Sequence, residues 1–184
     1  MASPWPESPE GQPPVRQRGP LTVGQAVLGG LGLLLVVVAV AWLTRETPPT
    51  PDQRLDRAVV AQDLDAARRA IAQGAKVNQT DLSGSTPLHS AAWRGDLAMA
   101  KLLLEQGARV NQADHRSGET PLHSAARGDQ PDMVEFLLEQ GADPKRRTHA
   151  DSEQCNGFIY PAGSDALAIA RQSGYRRVAE ILAP

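Results

Sequence analysis

Asp81 to Asn111 reads DLSGSTPLHSAAWRGDLAMAKLLLEQGARVN, and Asp114 to Asp143 reads DHRSGETPLHSAARGDQPDMVEFLLEQGAD. The heptapeptide TPLHSAA stands in both, at 86–92 and 120–126, and LLEQGA recurs at 103–108 and 137–142. Both matches share one offset of 34 residues, which chance does not produce. Self-similarity at a fixed period of this size marks a stacked-repeat architecture.

Each residue type in the unit has a physical job. Thr86 and Thr120 suit a helix N-cap, because a hydroxyl can take up an otherwise unpaired N–H of the first turn. Pro87 and Pro121 follow at the first helical position, where a missing N–H costs nothing. Leu88, Ala91 and Ala92 form an apolar stripe, with alanines small enough for close helix approach. Gly95 ends the first helix. Leu97, Leu103 and Leu104 face inward from the second, and Gly107 supplies the left-handed turn that stops it. The third unit carries its glycine one place early, at Gly128, and Pro131 opens its next helix, which predicts a one-residue shift between its two helices.

These units resemble ankyrin repeats, whose unit is a turn followed by two antiparallel helices. The resemblance spans residues 54–184 and is most specific in the two central units. Residues 54–78, RLDRAVVAQDLDAARRAIAQGAKVN, lack the Thr-Pro-Leu-His start but keep the helix pair and its QGA ending. In GSDALAIARQSGYRRVAEILA, residues 163–183, Asp165 to Ala168 stand where Thr-Pro-Leu-His would. Weaker outer units are what capping repeats require. Asn78 and Thr86 are 8 positions apart, whereas Asp143 and Asp165 are 22 apart, so the last hairpin holds an insertion. The expected fold is therefore an all-α ankyrin-repeat solenoid of four helix-pair units with short hairpin loops. Its units are 54–80, 81–113, 114–147 and 163–184, with an inserted loop at 144–162.

Ahead of the repeats the composition changes twice. Residues 1–20 carry six prolines and almost no aliphatic side chain, which predicts a disordered tail. Leu21 to Leu43, LTVGQAVLGGLGLLLVVVAVAWL, has no charged residue. As a helix it is about 34 Å long, enough to cross a hydrocarbon layer of roughly 30 Å. A retained signal anchor is the favoured reading, since the run exceeds an ordinary signal-peptide core of about 7–15 residues. Ala39-Val40-Ala41 leaves cleavage near Ala41 as the alternative, which gives a secreted or periplasmic product. Residues 44–53, TRETPPTPDQ, read as a Pro-rich linker. Arginines flank the run on both sides; a single N-terminal segment of this kind usually leaves the following domain on the extracytoplasmic side.

The net charge of −2 over 184 residues gives no concentrated basic face for nucleic acid. One cysteine, Cys155, excludes an internal disulfide. His89-Ser90 and His123-Ser124 could suggest a base and nucleophile. The resemblance implies otherwise, because in ankyrin repeats this His and Thr hydrogen-bond within and between units. The insertion brings His149, Asp151, Glu153 and Cys155 close in sequence, an enzyme-class alternative as a small metal or redox site. It has no CxxC or HxxxH spacing. A structural subunit of a membrane complex is the third reading.

The resemblance implies a binding scaffold, with no catalysis, cofactor or small-molecule substrate. It places the contact surface on the hairpin tips and first-helix face: Leu82, Ser83, Ser85, Trp93 and Arg94 in one unit, and His115, Arg116, Glu119 and Arg127 in the next. Trp and Arg are the types most enriched where binding energy concentrates. The expected partner is a protein, with the membrane engaged through residues 21–43.

Overall fold

The computed structural model describes residues 48–150, 152–153 and 159–183. The expected tail at 1–20, the membrane-crossing segment at 21–43 and residues 44–47 of the linker lie outside them. Among the described residues no helix is long and apolar enough to cross a membrane.

Residues from Pro48 onward form one compact unit. Its elements are α1 (Pro51–Ala61), α2 (Leu64–Ala72), α3 (Pro87–Arg94), α4 (Leu97–Glu105), α5 (Pro121–Arg127), α6 (Pro131–Glu139), β1 (Ser152–Glu153), β2 (Ile159–Tyr160), α7 (Ala166–Ser173) and α8 (Arg176–Leu182). Consecutive helices pair, and the first helices of the pairs, α1, α3, α5 and α7, stack into one layer. The ankyrin solenoid expected from the repeats is present as four such pairs. Leu88, Leu122 and Ile169 from the first layer meet Met99, Leu103, Leu137 and Val178 from the second, each at 0% exposure. Ala91, Ala92, Ala125 and Ala126 are buried between them. A methyl group is all the space there admits.

The array starts earlier than position 54. Thr50 Oγ1 accepts the Gln53 N–H at 3.2 Å, and Gln53 Oε1 accepts the Thr50 N–H at 3.1 Å. This reciprocal cap, with Pro51 at the first turn, sets the start of α1. The last residues of the Pro-rich linker are therefore helix.

The one-residue shift expected in the third unit falls in the turn between its helices: α5 ends at Arg127, one place earlier in the repeat than α3, while α6 starts in register with α4. Gly95 is left-handed at φ 70°, and Asp129, 34 positions on, takes the same role at φ 52°. Gly128 has an ordinary φ of −83°. It stands where the second unit has Arg94, and a Cβ there would lie 2.2 Å from the Trp93 carbonyl oxygen. The glycine answers a close backbone approach between α3 and α5, and an aspartate tolerates the left-handed turn.

Two sets of polar bonds join successive units. Asn78 reaches the second unit, its Nδ2 donating to the Gly107 carbonyl and its Oδ1 accepting the Arg109 N–H, at 2.8 and 2.9 Å. Asn111 does the same to Gly141 and Asp143 of the third, at 3.0 and 2.9 Å. On the other side the hairpin tips stack. The Ser83 carbonyl accepts the His115 and Arg116 N–H groups at 3.1 and 3.2 Å, and the Ser117 carbonyl accepts that of His149 at 2.8 Å. His149, weighed above as a metal ligand, is thus the counterpart of His115 in this ladder.

The insertion is an enlarged hairpin on the same base. The Thr148 N–H donates to the Ser164 carbonyl at 3.0 Å, as Asp114 does to Glu119 at 2.8 Å. Above that base β1 and β2 pair antiparallel, Ser152 opposite Tyr160, so the fold is not purely helical. Tyr160 is fully buried and its hydroxyl lies 2.5 Å from that of Ser173 on α7. The side-chain amide of Gln172 donates to the Ile159 carbonyl at 3.2 Å. Tyr160 pins the finger to the array, whereas the Ile159 side chain is exposed. Phe158 lies outside the described residues.

Candidate functional site

Thr-Pro-Leu-His fixes the frame of the site. Thr86 donates its N–H and hydroxyl to His89 Nδ1 at 3.1 and 2.8 Å. His89 Nε2 lies 3.1 Å from the Glu119 carbonyl. A carbonyl can only accept, so Nε2 carries the proton and the ring is neutral with Nδ1 as acceptor. The ring closes its own helix cap and ties the second unit to the third. It is committed to the scaffold and unavailable as a general base.

His123 binds Thr120 identically, at 3.1 and 2.8 Å. Its Nε2 is buried facing the Arg146 and Ser164 carbonyls without completing a hydrogen bond to either. The enlarged hairpin is what separates this junction from the one before it.

Burial depresses the basicity of both rings below the ordinary 6.5, against an opposing pull from the backbone carbonyls they face. Both stay neutral in the fold, whereas the unfolded chain binds protons once the pH drops below about 6.5. The stability they hold is complete above that pH and is lost as the pH falls from there toward the folded values. Urea titrations of residues 48–184 should show falling stability between about pH 6.5 and 5.5, by up to about 1.4 kcal/mol per pH unit for each ring. His89→Gln should reduce the slope. A flat profile across that window would mean the rings gain protons without strain.

Eight of the nine residues expected at the contact surface fall into two groups. Leu82, Ser83, His115 and Arg116 line a cleft of about 300 Å³ across the first two hairpin tips. Leu82 is fully exposed at the outermost point. A second cleft, of about 180 Å³, lies along the first helices. Ser85, Trp93, Arg94 and Arg127 line it, together with Ser90 and Ser124.

Trp93 is 45% exposed, and the Arg94 guanidinium carbon sits 5.6 Å from its ring centroid. The indole is thus partly open to solvent and holds a cation over its ring. Arg127 follows Trp93 by one repeat, and its Nη1 pairs with Glu119 Oε1 at 3.4 Å.

Glu119 departs from its expected exposure. It is 3% exposed, held under Arg127, while its carbonyl receives His89. The position before the cap threonine turns inward here, because a carboxylate under a guanidinium is paired. Ser90 and Ser124, weighed from sequence only as nucleophiles, are additions to the expected contact set. The spacing of Ser90, Trp93 and Arg94, at i, i+3 and i+4, already places them on one helix face.

Among the described residues no group of three or more His, Cys, Asp or Glu is placed to hold a metal. Asp151 and Cys155 lie outside them.

A protein-family model for ankyrin repeats matches residues 55–148 as three copies. The fourth pair, α7 and α8, lies beyond that match and stacks in the same way behind the enlarged hairpin. No curated protein matches the chain. The family match covers just over half of the sequence, and within it the Thr-Pro-Leu-His caps close α3 and α5, so the chain belongs to the ankyrin-repeat family.

Proposed function

We propose that this chain is a membrane-tethered scaffold whose hairpin tips and first-helix face bind a protein partner. Ankyrin repeats generally mediate protein–protein interaction, and proteins built from them are typically non-enzymatic. The observation that carries the reading is Trp93, a large indole 45% exposed on a short helix clamped between two neighbours. An indole left open on a rigid scaffold is a ready anchor, since little side-chain or backbone ordering remains to oppose association.

The proposed contact set is Leu82, Ser83, Ser85, Trp93, Arg94, His115, Arg116 and Arg127. Glu119 contributes by setting the Arg127 guanidinium rather than by contact. The tether is the uncharged run from Leu21 to Leu43, with the ankyrin surface on the extracytoplasmic side of the membrane.

Partner capture from native membranes with the full chain tests this. Trp93→Ala should weaken the captured complex by at least about thirtyfold, which corresponds to about 2 kcal/mol. A partner set unchanged by Trp93→Ala combined with Arg94→Ala and Arg127→Ala would refute the choice of surface. Labelling of Cys155 from each side of sealed vesicles decides the orientation, and labelling from the cytoplasmic side would reverse it.

A further inference from the structure

The charges of this surface are sorted by sign. Of its acids, Asp114 and Glu119 are buried, and Asp81, though exposed, is engaged by its own hairpin tip. Asp81 Oδ1 accepts the Ser83 and Ser85 N–H groups at 2.8 and 3.0 Å. Asp114 Oδ1 accepts those of Ser117 and Gly118 at 2.7 and 2.8 Å. Glu119 is buried beneath Arg127. Its cations stay open: Arg94 and Arg116 are exposed, and Arg127 keeps a quarter of its side chain open. A chain with a net charge of −2 thus presents a basic stripe on this face. Exposed apolar groups accompany these cations, Leu82 in the cleft with Arg116 and Trp93 in the cleft with Arg94 and Arg127.

We infer that the stripe takes an acidic segment of a partner protein, its carboxylates on Arg94, Arg116 and Arg127 and an apolar side chain against Trp93. The inference rests on the protein-binding reading above and adds the partner's chemistry. Guanidinium forks match carboxylates geometrically, and Arg94 is already oriented by the indole beneath it. The Ser85, Ser90 and Ser124 hydroxyls lining the same cleft offer donors for carboxylate oxygens. Complementary charge of this kind sets which partners are accepted and how fast they arrive.

The test uses the full chain in nanodiscs of zwitterionic lipid and a displayed library of random linear peptides, counter-selected on empty nanodiscs. The expected pool is enriched in Asp and Glu with an aliphatic or aromatic residue nearby. Arg94→Glu and, separately, Arg116→Glu should each weaken the selected peptides by about tenfold or more. An empty pool, a pool without acidic enrichment, or acidic peptides bound equally by both variants would overturn the inference. So would a single-stranded RNA that binds more tightly than every selected peptide. If the acidic preference is missing while Trp93→Ala still releases native partners, the protein-binding reading stands and the acidic segment alone falls.

Discussion

Leu122→Ala should cost residues 48–184 about 2–5 kcal/mol of unfolding free energy. Leu122 is at 0% exposure on α5, with α3 on one side and α7 on the other. Truncation removes burial and leaves a cavity that the flanking alanines are too small to fill. A domain of this size is stable by only about 5–15 kcal/mol, so the loss is a large fraction of the total. The check is the urea midpoint followed by circular dichroism, with the slope of the transition compared against the parent. A change under about 1 kcal/mol would contradict the burial of this layer.

Gly128→Ala should cost about 1–3 kcal/mol or more for the opposite reason, too much matter rather than too little. Its φ of −83° suits any residue, so backbone strain plays no part. The added Cβ meets the Trp93 carbonyl oxygen at 2.2 Å and its carbon at 3.1 Å, and neither can swing away as a side-chain tip would. Relief requires α3 and α5 to part. Because Trp93 sits at that contact, partner capture should weaken alongside thermal stability. Asp129→Gly, one residue on, provides the contrast. It removes a left-handed non-glycine turn and should be neutral or mildly stabilising. If Gly128→Ala proved harmless and Asp129→Gly harmful, the register of the third unit described here would be wrong.

The repeat made most of the scaffold legible in advance. Two copies of one string at a fixed offset define a unit, and the caps, prolines and leucine pairs within it predict both helices. Leu103, expected inside, is fully buried, as is its counterpart Leu137, whereas Leu97 and Leu104 are half-buried. What the pattern concealed depends on neighbours in space. Gly128 does follow the last residue of α5, but what requires a glycine there is a carbonyl on the adjacent unit. Glu119 looked like a hairpin residue facing water until Arg127 was placed above it. The start of α1 was readable, since Thr50-Pro51-Asp52-Gln53 is a capping signal. Two further prolines just upstream made it look like linker. The fold divides eight of the nine expected contact residues between two clefts and buries Glu119, and Ser90 and Ser124 enter through helix geometry that the sequence already contained.

The joints of this array are unequal. Between the second and third units, the His89 ring and the Asn111 side chain both span the gap. Between the third and fourth, His123 Nε2 completes no bond, and Lys145 occupies the place of the bridging asparagine. The pair α7 and α8 is held by apolar contact, the Tyr160 finger, the hairpin base and one exposed ion pair, Arg177 with Asp132 at 3.0 Å. In hydrogen–deuterium exchange its amides should lose protection first, opening as a separate block while the other three pairs remain closed. Such a molecule can flex at its far end without disturbing the surface around Trp93.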